Sequence, residues 1–312
     1  MNAARPPRPT DLVALVTFDG VVRENQAVTR DRLGRAPGRP RPLSAAVEQW
    51  LHLGRRTWVS VRGRSIVGIA TARELSAPTA WELDTLIDAG DDPDVVADLL
   101  RQAAESAARA QVTHVLLRTP SDAPAARQAP RAGFAKALDE RLWGGHLQID
   151  AAPEGVRPWR PGDEVACFHL YSRALPVTAR SVLAMTREEV VATHERRWHE
   201  RGPAFVVERE GRVVGLAHRA RSGGQFSLMV EPGQREAARA LLAAVAQPGR
   251  AVLQRALVPV CGGDEERALA EAGLEPGNEF TLFCHRTARP VLDEAHAAAH
   301  ATVRAAQGRV VG

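Results

Sequence analysis

One hairpin is written twice in this chain, and that repeat narrows the choice of folds more than any other feature. Val61-Arg62-Gly63-Arg64-Ser65-Ile66-Val67-Gly68-Ile69-Ala70 is echoed, with a one-residue shift at the turn, by Glu208-Arg209-Glu210-Gly211-Arg212-Val213-Val214-Gly215-Leu216-Ala217. Each copy reads as a strand (57–61; 204–208), a tight glycine turn and a second apolar strand, the pattern of a β-hairpin. Glycine supplies the positive φ that such a turn needs.

The echo continues downstream. An apolar strand (80–88; 225–231) leads into an alanine- and leucine-rich helix (93–110; 234–247), then a buried-type strand (114–118; 251–257). A second helix runs to an Ala-Gly-apolar stop, Ala132-Gly133-Phe134 and Ala272-Gly273-Leu274, where glycine suits a helix C-cap. A closing strand follows in each copy (138–142; 279–284). The copies are offset by 147 residues at Gly68 and Gly215 and by 140 at Gly133 and Gly273, so the register drifts only by a loop's worth.

With 312 residues, 45% hydrophobic and 25% charged, the chain has the size and core of two domains. Breakers cluster between Asp150 and Gly162. The division is therefore a disordered tail over 1–10, a first domain over 11–150, a second over 151–289, and an alanine-rich helical tail over 290–312. Thr186-Arg187-Glu188-Glu189 fits a capping box, with Glu189 reaching back to the Thr186 amide, and predicts a helix to about Arg201.

Several function classes fall away. Lys136 is the only lysine, which removes phosphate-cradling G-x-x-x-x-G-K-[ST] loops and most Schiff-base chemistry. Cys167, Cys261 and Cys284 lack zinc or disulfide spacing and suit a reducing compartment. Arginine and acid are spread evenly, with a net charge of +4, so no nucleic-acid partner is expected. No stretch approaches the ~18 apolar residues of a membrane span, and a cytoplasmic protein is expected.

The order of elements, with Val67-Gly68-Ile69-Ala70, Val214-Gly215-Leu216-Ala217 and the two glycine caps, resembles the GCN5-related N-acyltransferase (GNAT) family over roughly residues 11–149 and 156–288. The resemblance implies an α/β fold of two tandem domains, each a mostly antiparallel twisted sheet flanked by helices, and leaves room for a pseudo-dimer within one chain. It implies acetyl-CoA as co-substrate and a small-molecule or peptide amine as acceptor. In this family the strand after the hairpin splays from its neighbour and its backbone binds the pantetheine arm. The next loop and helix N-terminus hold the pyrophosphate, where free N–H groups and the helix dipole attract an anion.

Both copies depart from the family's glycine-rich loop. In the first, Asp91, Asp92 and Asp94 stand where a pyrophosphate would sit, with Asp92 before Pro93 forming a good N-cap. The second reads Val230-Glu231-Pro232-Gly233-Gln234-Arg235-Glu236-Ala237-Ala238 and keeps the proline and a Gln-Arg pair. The resemblance therefore puts cofactor binding on Met229, Val230, Gln234, Arg235, Glu236, Ala237 and Ala238, with an oxyanion donor among the amides near Val230. Candidate bases are His218 and Glu231. The positions of the family's acid tyrosine hold Ala129 and Leu269, and the only tyrosine, Tyr171, lies elsewhere. A catalytically inactive scaffold for ligand or protein binding is the alternative.

Other features have plainer readings. The spacings His194/Trp198 and His296/His300 lack a third ligand, so no metal is expected. Cys261, in the loop that the resemblance implies faces the thioester, reads as a small packing residue. Arg30, Arg32, Arg35, Arg39 and Arg41 read as a flexible loop, and Trp50, Trp58 and Trp143 as packing.

Overall fold

The computed structural model describes residues 4–19, 24–33, 55–90, 92–149, 154–195, 202–220, 224–246 and 253–287. Residues 150–153, Asp91, Trp50, Trp198, Arg35, Arg39, Arg41, His296, His300 and the tail helix expected over 290–312 lie outside these.

The first half runs α1 (Leu12–Asp19), β1 (Arg55–Arg62), β2 (Ser65–Glu74), β3 (Ala80–Asp88), α2 (Pro93–Arg109), β4 (His114–Pro120), α3 (Pro124–Gln128) and β5 (Ala135–Gly145). The second runs β6 (Val156–Pro158), α4 (Glu164–Ala174), α5 (Val177–Leu183), α6 (Arg187–Ala192), β7 (Ala204–Arg209), β8 (Arg212–Arg219), β9 (Gln225–Val230), α7 (Arg235–Val245), β10 (Gln254–Pro259), α8 (Asp264–Glu271) and β11 (Leu274–Arg286). The repeat is therefore structural: β1–β5 and β7–β11 carry the same order of strands and helices.

The glycines explain why the repeat preserves them. Gly63 and Gly211 turn the hairpins at φ +62° and +73°, and Gly133 and Gly273 end their helical turns at +82° and +83°. Gly68 and Gly215 do something different. A Cβ on Gly68 would lie 2.4 Å from Val95 Cγ1 of α2, and one on Gly215 would lie 2.8 Å from Leu241 Cδ1 of α7. Each lets its helix seat directly on the sheet.

All strands join one mixed sheet in the order β1-β2-β3-β4-β11-β5-β10-β9-β8-β7-β6. Among the described residues only β3/β4 and β9/β10 are parallel. The final strands of the two halves are exchanged: β11 pairs with β4 from Phe280↔Pro120 to Arg286↔His114, and β5 pairs with β10 from Gln254↔Gly145 to Pro259↔Glu140. β5 and β11 then pair antiparallel with each other, Leu282 opposite Leu138, giving an internal pseudo-dimer with its approximate twofold between them.

Helices cover both faces. In the first half α1 sits over Ile66, Ile69 and Ile87, while α2 buries Val95, Val96, Leu99, Leu100 and Ala103 on the opposite face. In the second half α4 packs on Val206 and Val213, and α7 buries Ala237, Ala238, Leu241 and Leu242. Trp58 and Trp143 are buried as expected, and Trp58 Nε1 donates to Ser106 Oγ at 2.9 Å.

Two sequence expectations are revised. Residues 4–10 do not hang free, because Arg5 exchanges both main-chain hydrogen bonds with Val59 and its guanidinium grips Asp11. The helix after Thr186 has the predicted capping box but ends at Ala192, not near Arg201. Thr193 Oγ1 turns back onto the Glu189 carbonyl, and Glu195 is drawn away by Arg30 and Arg118.

Candidate functional site

Among the described residues, two places inside the sheet leave strand edges without a strand partner. β3 and β4 pair over only Ala80–Glu82 against His114–Leu116 and then diverge. β9 and β10 pair at Gln225↔Arg255 and Phe226↔Ala256 and likewise diverge. Each divergence opens a slot whose walls are main-chain N–H and C=O groups, and buried groups of that kind must find partners.

In the first slot the partners come from the chain itself. Gln26 N–H donates to the Leu86 carbonyl at 2.9 Å, and Val28 N–H donates across the slot to the Arg118 carbonyl at 2.8 Å. Asn25 accepts from Leu86 N–H at 2.8 Å and donates to the Asp84 carbonyl at 3.0 Å. Gln26 Oε1 accepts from Ala125 N–H at the start of α3. An extended peptide thus fills the space between β3 and β4. At its mouth Asp92 caps α2 through Asp94 N–H and pairs with Arg62 at 2.6 Å.

The second slot is held differently. Among the described residues its walls are bridged by side chains. Val230 N–H donates to Glu265 Oε1 at 3.0 Å, and Gly233 N–H donates to Asp264 Oδ2 at 2.5 Å, both carboxylates coming from the first turn of α8. On the facing wall the Leu257 carbonyl accepts from Arg30 Nη1 at 3.0 Å. Burial raises the Glu265 pKa, partly offset by its bond from Val230 N–H. Neither Glu265 nor Arg30 stood out in the sequence as a slot residue. The acidic Asp264-Glu265-Glu266 run after Gly262-Gly263 was the available signal.

The sequence-derived site residues occupy the following positions. Val230 lies in the wall, and Met229 points away from it into the α4 cluster. Gln234 N-caps α7 without a side-chain cap bond. Arg235 is engaged by Glu271, Glu236 pairs with Arg239 at 3.5 Å, and Ala237 and Ala238 are core residues. Glu231 pairs with Arg173 at 3.1 Å and Arg212 at 3.4 Å. His218 Nε2 meets the Gly202 carbonyl at 3.1 Å, and burial, with His194 nearby, pushes its pKa down to about 4. Glu231 follows the rung Val230↔Gly215, whereas His218 faces Ser227, so roughly 13 Å of strand separates the two candidate bases. Ala129 and Leu269 are buried in the core. The Cys261 thiol is pushed up to about 11 by burial and then by Glu265, so it is not a thiolate near neutral pH. No group of metal-ligating side chains occurs among the described residues.

Between the slots lies a buried ionic cluster. Arg118 on β4 binds Glu140 at 2.6 Å and Glu195 at 2.8 Å. Arg73 binds Glu82 at 2.8 Å and Asp31 at 2.6 Å, and Arg30 binds Glu195 at 2.7 Å and Glu140 at 3.0 Å. Burial and the neighbouring Glu195 push Glu82 up to about 8. Burial opposes ionisation of Glu195 too, but Arg118 and Arg30 hold it well below the usual range. The flexible loop expected from Arg30 onward is corrected here: Arg30 and Arg32 are clamped, the latter to the Asp84 carbonyl at 2.7 Å.

No family model matches the sequence, and no curated protein matches it either. Many solved structures similar to this chain are GCN5-related N-acetyltransferases. One from Sphaerobacter thermophilus is 15% identical over 92% of this chain and 97% of its own, with a TM-score of 0.49. A putative acetyltransferase from Pyrococcus horikoshii is 14% identical over 92% and 90%, also at 0.49. A tandem GNAT protein from the clavulanic acid biosynthesis pathway is 14% identical over 93% and 99%, at 0.44. No helix among the described residues is long and apolar enough to cross a membrane.

Proposed function

We propose that this chain is an acyl-CoA-dependent N-acyltransferase that transfers an acetyl group from acetyl-CoA to a small-molecule or peptide amine, with the second copy as the cofactor-binding half. The observation that carries this is the difference between the slots. The first is filled by main chain, whereas the second is bridged by two side chains that can swing away. Val230 N–H, once released by Glu265, is a donor for a thioester oxyanion. The halves 11–150 and 151–289 act as scaffold and site, and the three free cysteines support a reducing, cytoplasmic setting.

Glu265 is the residue that acetyl-CoA must displace, and Arg235 is the cation at the α7 N-terminus that a pyrophosphate would meet. Calorimetry with acetyl-CoA on the intact protein, Glu265→Gln and Arg235→Glu tests this. The expected order of affinity is Glu265→Gln above wild type above Arg235→Glu. Absence of binding in all three defeats the proposal.

A second reading, an inactive acyltransferase-like scaffold, draws support from specific contacts. Both candidate bases are engaged, Glu231 by two arginines and His218 by a carbonyl, and Asp264, Glu265 and Glu271 crowd the phosphate position. Binding of acetyl-CoA without turnover across an amine panel would favour it.

A further inference from the structure

One segment touches both slots. Residues 25–28 lie along the first, and two residues later Arg30 reaches the second. Leu257 on β10 occupies the place that Arg118 holds on β4: Arg118 is opposite Leu282 of β11, and Leu257 is opposite Leu142 of β5, the repeat equivalent of Leu282. The Val28 amide and the Arg30 guanidinium therefore cap the same carbonyl in the two copies. The segment then anchors in the second half, where Gln225 Nε2 donates to the Leu33 carbonyl at 2.6 Å and Leu33 packs with Leu257 and Phe280.

We infer that residues 24–33 are an autoinhibitory strap that closes both slots together, latched by Arg30 between Glu140 and Glu195. The inference rests on the acyl-CoA reading for the ligand that opens the second slot, and on the hydrogen bonds above for the strap itself. Arg30 cannot leave the Leu257 carbonyl without loosening its bonds to two buried carboxylates. Those carboxylates also hold Arg118, whose carbonyl receives Val28. Glu195 belongs to the second half and comes from the turn after α6, so the latch is contributed by both copies. The rest of the strap is fixed equally well: Thr29 is fully buried, and Asp31 is bound to Arg73. A ligand that takes the Leu257 carbonyl for its own amide must therefore move a piece of chain that ends in the other slot.

The test pairs acetyl-CoA calorimetry with amide hydrogen exchange at Gln26 and Val28, on wild type, Arg30→Lys and Glu265→Gln. Arg30→Lys keeps the charge that Glu140 and Glu195 need but loses the fork that spans them and Leu257, and its circular dichroism and exchange in α2 and α7 should match wild type. The latch predicts about tenfold faster exchange at Gln26 and Val28 in Arg30→Lys, with at least ~5-fold tighter acetyl-CoA binding, since the closed state no longer competes. Addition of acetyl-CoA to wild type should also speed exchange at Val28. Binding in wild type or Glu265→Gln that Arg30→Lys leaves unchanged overturns the strap, whatever the exchange rates. Should none of the three proteins bind acetyl-CoA, the acyl-CoA reading fails, and exchange alone decides: faster in Arg30→Lys, the latch stands; unchanged, it is overturned.

Discussion

The two copies share a backbone plan and differ in what stands at matching positions beside the slots. Arg118, Glu140 and Glu82 in the first half match Leu257, Phe280 and Gln225 in the second. One interior is therefore a network of buried ion pairs, and the other is an apolar cluster of Leu33, Leu257 and Phe280. The contrast teaches that the sheet tolerates either solution, and that the polar one serves to fasten the strap and Glu195. Buried ion pairs are poor stabilisers compared with apolar packing, yet breaking one is costly.

That asymmetry sets the largest expected effect. Arg118→Leu, which gives the first half the second half's residue, leaves Glu140 and Glu195 buried without their main partner and should cost about 3–5 kcal/mol in urea unfolding. The double variant Arg118→Leu/Glu140→Leu should recover part of that loss. An equal or larger loss in the double variant would mean that the two interiors are not interchangeable. Leu257→Ala in the second half should cost about 2–5 kcal/mol through its cavity alone.

Two buried groups, one in each half, should also answer pH in opposite directions. Glu82 has a folded pKa raised to about 8, so its contribution to stability is complete below its ordinary value near 4.5 and fades as pH rises through 8. His218 is depressed to about 4, so its contribution is complete above 6.5 and is lost as pH falls through 4, with His114, also lowered by burial, adding to that limb. Unfolding midpoints measured from pH 4 to 9 should show both limbs. Glu82→Gln should flatten the alkaline one by at most about 1.4 kcal/mol per pH unit, and His218→Gln should flatten part of the acid one. If either variant flattens the opposite limb, the assignment of the limbs to Glu82 and His218 fails.

Gly68 and Gly215 offer a finer comparison, because both sit under helices but at different clearances. Gly68→Ala, with only 2.4 Å to Val95, should destabilise by about 2–3 kcal/mol, and Gly215→Ala, with 2.8 Å to a Leu241 methyl that can rotate, by about 1–2 kcal/mol. Thermal unfolding of the two variants checks the order.

These glycines also mark what the sequence made legible. The hairpins, the caps and the helix-on-sheet contacts depend on local φ or on an absent Cβ, and both are written at single positions. The exchange of β5 and β11 depends on pairing partners far apart in the chain, and Leu138 opposite Leu282 carries no local mark. The strap was equally hidden: Asn25-Gln26-Ala27-Val28-Thr29 has neither helical nor alternating periodicity, and its side chains act as surrogate main-chain groups. Arg118 and Glu140 sit within strands that read as buried. Nothing local shows that each is satisfied by a residue from the other half or from another strand.

The smallest difference lies at the two helix starts beside the slots. Asp92 accepts from Asp94 N–H with Pro93 following it, whereas Gln234 makes no such bond and holds a ψ of 47°. Loss of the first cap in Asp92→Ala should cost about 1 kcal/mol, including the exposed Arg62 pair, which contributes little. Gln234→Ala should be neutral within about 0.5 kcal/mol, because no cap is removed. An uncapped α7 leaves its first amides available to a ligand, and α2 has already committed one of its own to Asp92. Acetyl-CoA should therefore protect the first-turn amides of α7, and not those of α2, from hydrogen exchange. Protection at α2 instead would reverse the assignment of scaffold and site between the copies.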